Sequence, residues 1–243
     1  MTITASTTAT VRTPMDPTRR AALLGGAFYL LTFVASIPAL LLIDPVLHNP
    51  DYIVSAGSDT RVLWGCLLDV VNAFAGIGTA VALFPAIRRH GEASALGFVT
   101  TRTMEAATIM IGVVCLLAVV TLRQDAAGAD QATLVTTGKA LVEIRNWTFL
   151  LGPGLMPVLN GLLFASLLYR ARLVPRIIPT IGLIGAPLLL ASTMSTFFGL
   201  FGQVSTWATL LGLPIAVWEF SIGVYMLVKG FRPVPAAAKA GEA

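Results

Sequence analysis

Six stretches of the chain, at 21–43, 62–87, 96–122, 146–169, 177–201 and 207–228, are almost continuously apolar. A helix rises 1.5 Å per residue, so about 20 apolar residues cross a hydrocarbon layer about 30 Å thick. Each run meets that length. Six such helices cannot all be buried in one small globule, and the composition shows why. Only 12% of the residues are charged, against about 25% in soluble domains. Mean hydropathy is +0.83. Too little polar surface remains to face water, so lipid is the solvent. The expected fold is all-α: a polytopic transmembrane bundle of six spans.

Lys and Arg counting orients such a bundle. Arg12, Arg19, Arg20, Arg88, Arg89, Arg170, Arg172, Arg176, Lys229, Arg232 and Lys239 fall on one side, and only Arg61, Arg123 and Lys139 on the other. The side with eleven is expected in the cytoplasm, together with both termini. Asp44, Asp51, Asp59, Asp125 and Asp130 all fall in the opposite loops, in agreement. Residues 1–18 read as a disordered polar tail, 19–232 as the six-helix domain, and 233–243 as a second disordered tail. The first apolar run exceeds the usual h-region of about 7–15 residues and reads as a retained signal anchor.

Several chemistries find no support. The net charge of +4 comes from basic residues at helix ends, with no basic stripe or aromatic platform for nucleic acid. Cys66, Cys115, His48 and His90 form no CxxC or HExxH pattern, so neither a metal nor a cofactor is expected. Both cysteines read as packed free thiols. Ser195 has no histidine with an evident route to it, so no catalytic residue is assigned.

Charge inside the spans demands a reason, because an ionisable group at mid-bilayer costs about 2.5 kcal/mol or more. Asp69 lies in the second span, roughly 10 Å below its boundary, with Asn72 on the same face. Arg102 and Glu105 lie in the third, at the i, i+3 spacing that permits pairing within one helix. Glu219 follows Trp218 in the sixth. Glu143 and Arg145 fall near the mouth of the fourth span, where long side chains reach the interface. Three deep carboxylates therefore face one deep guanidinium. One carboxyl is expected to pair with Arg102; the others must be protonated, hydrated or facing a cation. In a purely structural arrangement, Arg102 clamps the second, third and sixth spans through Asp69 and Glu219. The segment Gly152-Pro153-Gly154-Leu155-Met156-Pro157 is expected to interrupt the fourth span, either as a packed kink or as the broken helix of a binding site.

Three passages carry a family likeness: Arg-Arg-Ala-Ala-Leu-Leu-Gly-Gly-Ala-Phe-Tyr-Leu-Leu from Arg19, Arg102-Thr103-Met104-Glu105-Ala106, and Glu219 with the closing Tyr225-Met226-Leu227-Val228-Lys229-Gly230-Phe231-Arg232. Leu173-Val174-Pro175-Arg176 also fits. In these the chain resembles the bacterial integral membrane family catalogued as domain of unknown function 4386, over about residues 17–232. The resemblance implies six or seven membrane helices and unassigned activity. It supplies no ligand or catalytic residues, though Arg102, Glu105 and Glu219 fall within the family's pattern.

The functional expectation is a bacterial inner-membrane protein with a polar intramembrane site at Asp69, Asn72, Arg102, Glu105 and Glu219. Its partners would be the bilayer and a small solute or lipid headgroup, with proton-coupled transport as one use. Two alternatives stand beside it: a non-enzymatic assembly or sensory subunit, and an intramembrane enzyme acting on a lipid or quinone through paired carboxyls.

Overall fold

Where the sequence supplies a cap, a helix begins. Asp16 accepts a hydrogen bond from the Arg19 backbone N–H at 3.1 Å, and Pro17 opens α1, Pro17–His48. Asp130 accepts from the Thr133 N–H at 2.9 Å ahead of α4, Gln131–Phe149. Ser205 accepts from the Ala208 N–H at 3.2 Å ahead of α7, Thr206–Val228. Each satisfies an N-terminal donor that the helix itself cannot. The remaining helices are α2, Thr60–Ile87, α3, Glu92–Gln124, α5, Met156–Ala171, and α6, Ile177–Phe197. This computed structural model describes residues 15–232. Among them no strand forms, and six helical runs are long and apolar enough to cross a membrane. The tails assigned from sequence fall largely outside the described residues, although Pro17 and Thr18 belong to α1.

The fourth span departs from its expected bounds of 146–169. It is one run, Gln131–Ala171, in which α4 passes through a π-helical turn at Leu150–Gly154 into α5. Thr133, Thr136, Thr137, Lys139 and Glu143 interrupt the apolar pattern of its first half. A hydropathy reading therefore starts later than the helix does. The Gly-Pro-Gly segment does not split the run into two separated half-helices. Pro153 lacks a donor, and the wider turn absorbs the mismatch. The Thr193 hydroxyl donates to the Gly154 carbonyl at 2.9 Å, which ties the turn to α6.

The spans pack as a ring. α1 lies against α2 and α7, α2 against α3, α3 against α4 and α5, and α6 joins α5 to α7. Arg19 closes the ring at its basic end. Its guanidinium donates to the carbonyls of Met226 at 2.8 Å, Leu227 at 2.8 Å and Val228 at 3.3 Å. These are final-turn carbonyls of α7 at the negative end of the helix dipole, and those of Leu227 and Val228 have no backbone partner among the described residues. The two ends of the described chain thus meet on one face of the bundle. The Arg232 backbone N–H adds a bond to the Leu173 carbonyl at 2.8 Å.

At the opposite end, Arg123 at the close of α3 organises the α1–α2 connection. It donates to the Ser55 carbonyl at 3.1 and 2.8 Å and to the Gly57 carbonyl at 3.1 Å. It also pairs with Asp59 and lies over the Tyr52 ring, 4.6 Å from the centroid. Burial pushes the Asp59 carboxyl up, but hydrogen bonds from Tyr52, Gln124 and Arg123 prevail and hold it below the ordinary carboxylate range. Burial, and then the bond to Asp59, push the Tyr52 phenol up to about 12. A depressed Asp59 stabilises the fold above the unfolded carboxyl range, and that contribution is lost as pH falls through its folded value.

Two core clusters fill the ring. One, around Phe98, Phe164, Leu168 and Trp218, occupies the basic half. The other, around Ile43, Tyr52, Val62 and Leu116, occupies the Arg123 half. Cys66 and Cys115 are buried free thiols, as expected. Close helix approach depends on glycines. A Cβ on Gly26 would stand 2.7 Å from both the Gly223 carbonyl oxygen and the Leu227 nitrogen, whereas one on Gly76 would meet nothing within 4 Å.

Gly26→Val is therefore expected to lower stability by about 1–3 kcal/mol through overpacking, while Gly76→Ala leaves it intact or higher. Thermal unfolding of both variants in the same detergent checks this; equal melting points would contradict the packing described. Arg123→Ala should unfold at lower temperature at neutral pH and show a smaller acid-dependent loss than the parent, since Asp59 then has less to lose on protonation.

Candidate functional site

The inward face of α3 carries Phe98, Arg102, Glu105, Ile109 and Gly112, spaced three and four residues apart. At mid-length this otherwise apolar stripe becomes ionic. Arg102 is 4% exposed. Its Nη1 donates to Glu105 Oε2 at 3.1 Å, and its Nη2 donates to Glu219 Oε1 of α7 at 2.5 Å. Its Cζ lies over the Tyr29 ring of α1, 4.9 Å from the centroid. Asn160 of α5, fully buried, donates to Glu105 Oε2 at 2.9 Å. One guanidinium therefore draws α1, α3, α5 and α7 together.

Packing aims these groups. Trp218 is fully buried and lies on α6 at Gly182, where a Cβ would stand 2.5 Å from the indole. That seat sets the rotation of α7, so that Glu219, one residue on, turns toward Arg102. Below the ion cluster Phe164 stacks on Phe98 at 4.7 Å and meets Trp218 edge-on at 6.2 Å. This aromatic floor closes the site toward the basic end.

Above the cluster lies a cavity of about 310 Å³, within the size range of small-molecule sites, about 300–1,000 Å³. Asp69, Asn72, Arg102, Glu105 and Glu219 all line it. So does Arg145 of α4, which the sequence placed at the interface. It is 6% exposed and packs over Phe149, 4.6 Å from the ring centroid. The helix begins at Gln131, so Arg145 lies fourteen residues inside it, with its stem packed along Gly112 of α3. The cavity thus holds three carboxylates against two guanidiniums, not against one.

The clamp weighed from sequence forms only in part. Arg102 holds Glu219, but it makes no contact with Asp69, and its second carboxylate is Glu105. Asp69 enters from α2 on the far side of the cavity, without a hydrogen bond or ion pair among the described residues. Asn72 lines the wall one turn along. Tyr29 and Asn160 escaped the sequence reading, and Arg145 was named there but not assigned to the site. Tyr29 and Asn160 are neutral and carry no charge cost to draw notice, although an amide inside an apolar run was a usable signal.

Breaking a buried ion pair by removing one partner costs about 3–5 kcal/mol. Arg102→Met, which strands two carboxylates, is expected to lose stability on that scale. Glu219→Gln should lose less, because Glu105 remains. The double variant should lose less than the sum, as groups sharing one network do. Unfolding measurements over this cycle check the assignment, and additive losses would show that the two residues do not share a network.

No curated protein and no solved structure matches this chain. A family model matches residues 24–230, which takes in the cavity and every charged residue on its wall, and the chain belongs to the family described as Domain of unknown function (DUF4386).

Proposed function

We propose that this protein binds a small polar solute or a lipid headgroup within the membrane, in the cavity walled by Asp69, Asn72, Arg102, Glu105 and Glu219. The supporting observation is Arg145. A buried guanidinium without a partner is costly, and this one borders open space large enough for a ligand. The cationic group is thus positioned to meet something that enters. Ser36, Thr108 and Thr148 add hydroxyls to the same wall.

The family resemblance supports a bacterial cytoplasmic membrane as the setting, and the basic asymmetry supports both termini inside. Ile37 and Leu40 of α1 line the cavity and are themselves exposed, which supports a route between the cavity and its surroundings. In a transport cycle, proton coupling would run through Asp69, the cavity carboxylate without a guanidinium partner. An enzymatic reading has weaker support. Glu105 and Glu219 share Arg102, and a carboxyl held in an ion pair is poorly suited to give up and take back a proton.

Gly76 offers a direct test, because a side chain there grows into the cavity and not into a neighbour. Native mass spectrometry of gently extracted protein should show a non-covalent adduct on the parent. Gly76→Phe should lose the adduct without losing melting temperature. An adduct that survives with the cavity filled, or a parent that carries none under any extraction, would remove this reading.

A further inference from the structure

The cavity wall divides into two charge systems. Arg102, Glu105 and Glu219 pair with one another at the floor, with Arg102 Nε left without an acceptor. Arg145 and Asp69 stand apart from them, on α4 and α2. Arg145 is nine-tenths buried, yet none of its guanidinium N–H groups meets an acceptor among the described residues. Nor does it form an ion pair with Asp69, although both line the same space.

Packing holds Arg145 where it is. Its stem lies along Gly112 of α3, where a Cβ would stand 3.3 Å from Arg145 Cγ. Its head lies on the Phe149 ring. The guanidinium is anchored to the α4 side of the cavity, and the Asp69 carboxylate is anchored to the α2 side.

We infer that the ligand is a zwitterion: a molecule whose anionic group is bound by Arg145 and whose ammonium group is bound by Asp69. This rests on the reading of the cavity as a solute or headgroup site, and it specifies the chemistry. A simple anion would satisfy Arg145, but it would be repelled by Asp69, which faces the same space, on a wall where carboxylates already outnumber guanidiniums. A simple cation would satisfy Asp69 and leave Arg145 buried without a partner. A ligand carrying both charges answers both residues and leaves the net charge of the cavity unchanged. Arg suits the anionic end because its planar fork grips a carboxylate or phosphate through two parallel bonds. Free amino acids and an ethanolamine phosphate headgroup share this chemistry.

The full-length protein tests it in two arms. In detergent, calorimetric titration compares amino acids from glycine to γ-aminobutyrate with alkanoates and alkylamines of matched length. In nanodiscs, native mass spectrometry compares retention of phosphatidylethanolamine with that of phosphatidylglycerol. A zwitterion should bind at least about tenfold more tightly than either singly charged analogue, the worth of one added charge-assisted hydrogen bond. Arg145→Gln and Asp69→Asn should each abolish that preference, and Arg145→Lys should retain part of it. Asp69→Asn carries the test should Arg145→Gln fail to fold. A positive result in the first arm identifies a free solute, and one in the second a headgroup. Equal binding of an alkanoate or an alkylamine, or binding of no zwitterion in either arm, overturns the inference. In each of those cases an adduct lost on Gly76→Phe would still uphold the cavity as a binding site.

Discussion

The guanidinium of Arg102 is the group around which the bundle is arranged. Removing such an ion from water costs several kcal/mol, and the cost is recovered only when good geometry and further hydrogen bonds surround it. Here two carboxylates from two helices meet it, a tyrosine ring covers it, and a buried amide supports one of the carboxylates. Those partners come from α1, α3, α5 and α7. The position of one side chain thereby restrains the rotation of four helices, in a medium where apolar contact alone gives helices little reason to choose one rotation over another.

With Arg102 engaged, the rest of the polar wall acquires a different meaning. Glu105 and Glu219 belong to the framework. Asp69 and Arg145 do not, and both face space. The irregularities nearby help keep that space open. Pro153 lies in the π-helical turn and lines the cavity, while Gly76 and Gly112 contribute wall without side chain. The aromatic floor of Phe98, Phe164 and Trp218 limits the depth of the cavity toward the basic end. The ion-paired framework lies on α1, α3, α5 and α7, and the two open charges on α2 and α4, so the two sets of residues are separable.

The two ends of the bundle are secured by similar means. Arg19 collects the final carbonyls of α7, and Arg123 collects the carbonyls of the connection between α1 and α2. In both cases a guanidinium bonds backbone carbonyls at the end of a helix or in a connection. Counting Lys and Arg treats these two residues only as topology markers. Their second role depends on which carbonyls fold within reach.

The six spans, the basic asymmetry and the list of expensive charges were all legible in the amino-acid sequence. Each depends only on local composition: a helix in lipid satisfies its own backbone, and twenty apolar residues are enough to recognise one. The costly residues Asp69, Arg102, Glu105 and Glu219 were visible for the same reason. Which of them meet was decided only by the tertiary structure. Pairing depends on the rotation and depth of each helix, and these follow from distant contacts such as Trp218 against Gly182 and Arg145 along Gly112. The start of this helix at Gln131 was hidden because its first half is polar. Burial against α3 and the Phe149 ring is what sets Arg145 on the cavity wall. What the sequence alone determined is a six-helix membrane bundle with charge at its centre; the folded arrangement divided that charge into an ion-paired cluster and two charged residues, Asp69 and Arg145, that face the cavity without a salt bridge.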